Sequence, residues 1–263
     1  MHRPRALWLR LRNMPVLRML QLEEALFRSD KRSWLITNEW TSAQSAADAL
    51  VLGISGKPEQ MLHVEAAHRS GVPVIKRFTG GGTVVVDSDT LFASFIVAEG
   101  ALPDVKPYPE PMLAWSGEVY ADALRRCGVD SFAVRANDYC IDDLKFGGNA
   151  QSISGKRWLH HTSLLWDYEP ARMALLQHPA RQPEYRRQRA HEQFVQGLGA
   201  VLPNRDAFGE ALVAAAGQRF DLEAVELEEA LPALETSHRR VTTLVDLAET
   251  MAAAAGADAG RGT

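Results

Sequence analysis

The 263-residue sequence predicts an α+β fold, a mixed and largely antiparallel sheet flanked by helices. Three observations predict it. Short β-prone segments crowd the first two-thirds of the chain, they do not alternate strictly with helices as a doubly wound sheet requires, and the chain after Glu169 reads as helical.

Taken in order, Leu7-Trp-Leu-Arg-Leu is a first strand, and Asn13-Met-Pro15 turns it into an amphipathic helix over Val16 to Arg28. Leu17, Leu20, Glu24 and Phe27 mark that helix's faces at intervals of three and four. Ser33 to Thr37 is a second strand, the polar, Ala-rich Asn38 to Asp48 a loop, and Leu50 to Gly53 a third strand. Pro58 suits a first helical position and opens a helix through His68 that stops at Gly71. Val72 to Ile75 and Thr83 to Val86 are β-branched runs on either side of three glycines, read by themselves as a hairpin. Leu91 to Val97 is another strand. Pro103, Pro107, Pro109 and Pro111 then break the chain ahead of a helix from Met112 to Cys127. Short strands follow around Phe132, Tyr139 and Phe146, then over Gln151 to Ile153, Trp158 to His161 and Ser163 to Trp166. Helices are expected over Pro170 to Leu176, Glu192 to Leu202 and Asp206 to Phe220. From His238 the sequence is low in complexity and is expected to fray, which leaves residues 1–237 as one folded domain.

Composition sets outer bounds. Hydrophobic residues make up 46% and charged residues 24%, ordinary values for a globular chain. A net charge of −4 argues against a general nucleic-acid binder, and no apolar run reaches membrane-spanning length. Cys127 and Cys140 are too few for a disulfide framework and point to a reducing compartment. The Arg-rich start (Arg3, Arg5, Arg10, Arg12, Arg18) is like part of an organelle transit peptide, yet the same residues read as strand and helix. A mitochondrial or cytoplasmic protein is expected, not a secreted one.

Two loops carry chemistry. In the first, Lys76 and Arg77 precede Gly80, Gly81 and Gly82, so cations stand beside backbone that has no Cβ in the way and whose N–H groups can turn inward as an anion nest. In the second, Asn137 to Gln151, Lys145 precedes Gly147 and Gly148. Two basic glycine loops suggest one anionic ligand gripped from two sides. Neither is a P-loop or has Rossmann spacing. Asn137-Asp138 also reads as a turn, and Asp142 and Asp143 as exposed turn acids. Adjacent His160 and His161 face opposite sides of a strand, which argues against a histidine metal site. Both cysteines read as buried thiols.

Lys76-Arg77-Phe-Thr-Gly-Gly-Gly-Thr-Val…Asp87 resembles the lipoate-binding loop of lipoate–protein ligases, usually Arg-Arg-x-x-Gly-Gly-Gly-x-Val-aromatic-His-Asp. Asn137-Asp138, Lys145-Phe-Gly-Gly-Asn-Ala150 and His160-His-Thr-Ser-Leu-Leu165 match that family's later motifs in the same order, and the likeness runs from about Leu7 to about Val225. It is greatest to the short plant-type ligases. The resemblance implies the biotin/lipoyl-ligase catalytic fold related to class II aminoacyl-tRNA synthetases. It implies activation of lipoate by ATP, with Mg²⁺, to lipoyl-adenylate, then transfer to a lysine of an acceptor. The implied acceptors are lipoyl domains of 2-oxo acid dehydrogenase complexes and the glycine cleavage H protein. A lipoyl or octanoyl transferase that receives a preactivated acyl group is the alternative.

By the same resemblance Lys145 is the central catalytic cation. Lys76, Arg77, Gly80, Gly81, Gly82, Thr83, Val84, Asn137, Asp138, Gly148, Asn149, Ala150 and His161 bind substrate or adenylate, and Asp138 is the candidate Mg²⁺ ligand. Lys76 replaces an arginine of the pattern, and Val85 and Val86 stand where it has an aromatic residue and His.

Overall fold

The computed structural model describes residues 3–39, 48–178 and 182–259. Alternation along β1 (Arg5–Arg12) buries Leu7, Leu9 and Leu11 and leaves Arg10 and Arg12 outside. Pro15 then opens α1 (Val16–Ser29), whose buried face includes Met19, Leu20, Leu22 and Leu26 and also two acids, Glu23 and Glu24. The strands β2 (Trp34–Glu39) and β3 (Ala49–Leu52) follow; of the loop expected over Asn38 to Asp48, residues 40–47 lie outside the described residues. Next come α2 (Pro58–Met61), α3 (Val64–Ser70), β4 (Val74–Lys76), β5 (Val84–Val86), β6 (Thr90–Val97) and α4 (Pro109–Arg126). Four strands, β7 (Phe132–Arg135), β8 (Asp138–Ile141), β9 (Leu144–Ser154) and β10 (Arg157–Leu165), form a meander. The chain closes through α5 (Pro170–Met173), α6 (His191–Phe194), α7 (Arg205–Ala216), β11 (Asp221–Val225), α8 (Pro232–Glu235), β12 (Thr243–Val245) and α9 (Leu247–Ala259). No helix among the described residues is long and apolar enough to cross a membrane.

The strands make two sheets, one of eight strands in the order β11-β1-β2-β6-β10-β9-β8-β7 and one of four in the order β12-β4-β3-β5. β1 runs parallel to β11 and β2, and every other pairing in the large sheet is antiparallel, the mixed arrangement that the sequence predicts. Each face of the large sheet carries its own core. One is built on α4 and α7, with the Trp115 ring edge-on to Phe95 and Trp158. The other is built on α1.

Several local expectations change. β4 and β5 do not form a hairpin, because both pair with β3, β4 parallel and β5 antiparallel. The Pro58 helix breaks at Leu62-His63, where Leu62 bridges to Leu176 and the His63 N–H donates to the Leu175 carbonyl at 2.9 Å. The helix expected over Glu192 to Leu202 stops after Phe194, since a Cβ on Gly197 would lie 2.3 Å from the Trp166 carbonyl oxygen and only glycine lets the chain pass there. The segment from His238, expected to fray, carries β12 and α9. β12 pairs with β4, and the Val241 and Thr242 N–H groups donate to the buried carboxylate of Glu24 at 2.8–3.0 Å.

Candidate active site

The two glycine loops meet. Leaving β4, the Arg77 N–H donates to the Leu52 carbonyl and the chain turns through Thr79 to Gly82. The Gly80 N–H reaches the Gln151 carbonyl on β9 at 3.3 Å, and a Cβ on Gly81 would lie 3.1 Å from the Asn149 carbonyl oxygen. Between the loops opens a cavity of about 510 Å³. Gly80, Gly81, Gly82, Thr83 and Val84 line one wall; Asn137, Asp138, Lys145, Gly148, Asn149 and Ala150 line the other. The chain thus brings together almost every residue singled out in the sequence.

Lys145 is the centre of the second wall. Its Nζ lies 2.6 Å from Asp138 Oδ1, while the Tyr185 hydroxyl donates to Asp138 Oδ2 at 2.7 Å. The lysine is 27% exposed, a tethered cation at the cavity edge and not a free surface lysine. Gly148 keeps the space beside it open, because a Cβ there would meet nothing nearer than Lys145 Nζ at 3.6 Å. Gly147 has a different cause: a Cβ would press on Leu164 at 2.7 Å, so its role is packing. Asn137 is both turn and wall. With Ala136 it takes a left-handed backbone (φ 76° and 46°) to close the tight β7–β8 turn, and its carbonyl accepts from Asn149 Nδ2 at 2.7 Å.

Arg77 is placed differently from a phosphate contact. It is 3% exposed, and its guanidinium donates to Thr79 Oγ1 at 3.0 Å, the Val51 carbonyl at 3.3 Å and the Gly80 and Gly82 carbonyls at 2.8 and 2.7 Å. Its donors shape the glycine loop from beneath. Burial pulls its pKa down to about 10, opposed by the charge of Glu23, and it stays a cation at neutral pH. Lys76 does not reach the cavity; it sits on β4 between Leu52 and Thr243.

The inner end is apolar, lined by Val16, Leu20, Val51, Val84, Val86 and Phe92, with His161 among them. His161 Nδ1 lies 3.0 Å from Glu23 Oε2 and 2.9 Å from Ser94 Oγ, which itself donates to Glu23 Oε1 at 2.7 Å. His160 points through the other face of β10, with Nε2 2.7 Å from the Tyr139 hydroxyl. Burial, with the neighbouring His161, drives its pKa down to about 3, so it is neutral. The opposed histidines agree with strand geometry, and no group of three or more metal-ligating side chains occurs among the described residues.

Asp138 does not fit a resident Mg²⁺ site. Both of its oxygens are already engaged by Lys145 and Tyr185, and it is the only acid on the cavity wall among the described residues. Cys140 is buried, its Sγ 3.4 Å from the Tyr185 hydroxyl, and burial pushes its pKa up, the opposite of an activated thiol.

Four participants were not singled out in the sequence. Gly53 supports the first loop, since a Cβ there would lie 2.3 Å from the Gly81 carbonyl oxygen. Arg186 and Phe194 close the cavity from the 182–195 segment, with the guanidinium 4.7 Å from the ring centre. Glu23 was legible as an acid on an apolar helix, but its partners are 71 and 138 residues away. Thr83, expected at the site, lies on the wall with its Oγ1 buried and no partner among the described residues.

Known proteins resemble this chain in sequence and fold. An inactive lipoate–protein ligase 2 from Plasmodium falciparum is 27% identical over 237 residues, covering 71% of this chain but only 62% of its own length. By fold, the chain matches a bipartite lipoate protein ligase studied with its E2 lipoyl domain from Thermoplasma acidophilum (TM-score 0.69, 18% identity, 89% of this chain and 91% of that one). It matches a lipoate-protein ligase A bound with ATP to the same degree (TM-score 0.69, 17% identity, 89% and 93%). A family model described as the lipoyl protein ligase A/B catalytic domain spans residues 15–217, and the chain belongs to that family.

Proposed function

We propose that the protein is an ATP-dependent lipoate–protein ligase. The observation that supports this is that one cavity is lined by Lys145, by the glycines Gly80 to Gly82 and by the apolar side chains of Val16, Leu20, Val51, Val86 and Phe92. The apolar end suits an eight-carbon acyl chain, whose carboxylate would then reach Lys145. The outer wall of Gly80 to Gly82 and Asn149 suits the phosphates.

In the first step a lipoate carboxylate oxygen attacks the α-phosphorus of ATP, the new bond is a mixed anhydride, and pyrophosphate leaves. Charge builds on the phosphoryl oxygens, so a prepositioned ammonium and backbone donors lower the barrier more than they tighten ground-state binding. Asp138, itself held by the Tyr185 hydroxyl, positions the Lys145 ammonium. Mg²⁺ would enter with the nucleotide and supply charge neutralisation. In the second step the neutral amine of an acceptor lysine attacks the acyl carbonyl, AMP leaves and the amine proton is lost to solvent. Lipoyl domains of 2-oxo acid dehydrogenases and the glycine cleavage H protein are the acceptors we propose, in keeping with the E2 domain studied with the Thermoplasma ligase.

One observation favours a second reading, transfer from a preactivated lipoyl group. Arg77 is consumed by the glycine loop, and Val86 stands where the family pattern has His, so fewer side chains are left for ATP. Pyrophosphate exchange with lipoate and Mg-ATP decides between them. Exchange establishes the ligase; no exchange together with transfer from synthetic lipoyl-adenylate establishes the transferase; failure of both removes the assignment.

A further inference from the structure

A second cavity of about 630 Å³ lies away from the glycine loops, lined by Phe27, Arg28, Lys31, Ala98, Glu99, Ser154, Arg157, Ser237, His238 and Arg239. It collects the C-terminal end of α1, the end of β6, the β9–β10 turn and the segment after α8. Four of its side chains are permanent cations, and its one acid, Glu99, is paired outward to Lys156 at 3.4 Å. In a chain of net charge −4, that concentration of one sign is local and opposite to the whole.

The base of this cavity holds an unusual cation. Arg157 is 8% exposed, and its Nη2 donates to the Arg32 carbonyl at 3.1 Å and the Leu26 carbonyl at 3.4 Å. Its Nε and Nη1 are buried with no hydrogen-bond partner among the described residues, and no carboxylate pairs with it there. Asp30 is the acid whose charge it feels, but its oxygens are taken by Arg32 at 2.6–3.1 Å. Burying a guanidinium with two donors unmet and no counter-charge is costly, and stable proteins normally supply the missing partner. At the rim, Lys31 and Arg239 are exposed and make no ion pair among the described residues. Arg28 is partly spent on Glu24 at 2.8 Å, and His238 uses Nδ1 on the Thr236 carbonyl at 2.7 Å.

We infer that this cavity is a binding site for a small, multiply charged anion, distinct from the lipoate and ATP site. The inference does not rest on the proposed ligase activity. Phosphate-bearing and polycarboxylate anions share the required chemistry, and the test separates them.

The experiment titrates inorganic pyrophosphate, and separately citrate, calorimetrically into the Lys145→Ala protein, in which the catalytic cation is missing. The same titrations on Lys145→Ala carrying Lys31→Ala and Arg239→Ala, both exposed and remote from the fold's core, report the second cavity. Binding of either anion, weakened about tenfold or more by the added pair and weakened further by salt, is the expected result. Arg157→Gln, with its fold checked by circular dichroism, should lose the same binding. With Lys145 intact, Lys31→Ala/Arg239→Ala should retain full lipoyl transfer. Equal affinity in both backgrounds, or no binding of either anion, overturns the proposal.

Discussion

The ion pair between Lys145 and Asp138 is a resting arrangement that the reaction must use or break, and its energy is modest because the lysine remains partly wet. Removing the ammonium leaves Asp138 to Tyr185 alone and, on the proposed function, takes away the charge that would meet the phosphoryl oxygens. Lys145→Ala should lower adenylate formation roughly 100-fold or more with an unchanged melting temperature, read by pyrophosphate exchange. A loss below tenfold would show that the lysine is peripheral. Gly81 makes a complementary case. Its φ of 96° and the 2.9 Å that would separate an added Cβ from Arg77 Nη2 leave no room for a side chain, so the cause is both strain and contact. Gly81→Ala should cost about 1–2 kcal/mol of stability and raise the KM for ATP and lipoate together, because it moves the wall and leaves Lys145 in place. An unchanged KM would detach this loop from substrate binding.

α1 links two functions through adjacent acids. Glu23 faces His161, which lines the cavity, and Ser94 behind it, whereas Glu24 holds Arg28 and the backbone of Val241 and Thr242. That second set ties the C-terminal segment down so that β12 can cover the edge of β4, the strand that delivers Arg77 to the glycine loop. Glu24→Ala should therefore destabilise the protein by roughly 3 kcal/mol, the scale of a broken buried charge network. Limited proteolysis should then cut first within 237–246. Cleavage at the wild-type rate would mean that β12 is held by its own pairing. The short helix α6 ends early because the chain must pass Trp166 at Gly197, and Arg186 and Phe194 from the same stretch line the cavity.

Acid stability is a property of the whole molecule, and His160 gives its sign. The folded state keeps this histidine neutral down to about pH 3, while the unfolded chain takes up the proton near 6.5. Between those values the unfolded state holds the extra proton, so the stability from keeping His160 neutral is complete above about 6.5 and is lost as pH falls towards 3. His191, lowered to about 4 mainly by burial, acts in the same direction. His160→Gln should melt with a shallower pH dependence between 6.5 and 4 than wild type. Parallel curves would assign the acid sensitivity elsewhere.

The primary structure by itself determined the strand-rich first two-thirds, the mixed sheet and the ordered motifs at Arg77, Asn137 and Lys145, because apolar periodicity and glycine spacing are local signals. It also placed His160 and His161 on opposite faces, since a strand's side chains must alternate. Only tertiary structure decided that Arg77 braces the loop, that β4 and β5 share β3 as a partner, and that Glu23, Gly53 and Arg186 serve the cavity. β11 and β12 needed it too, being short segments that become strands only where β1 and β4 offer an open edge. Those outcomes depend on pairings between residues far apart in the chain, and no local pattern encodes which distant donor will meet which acceptor.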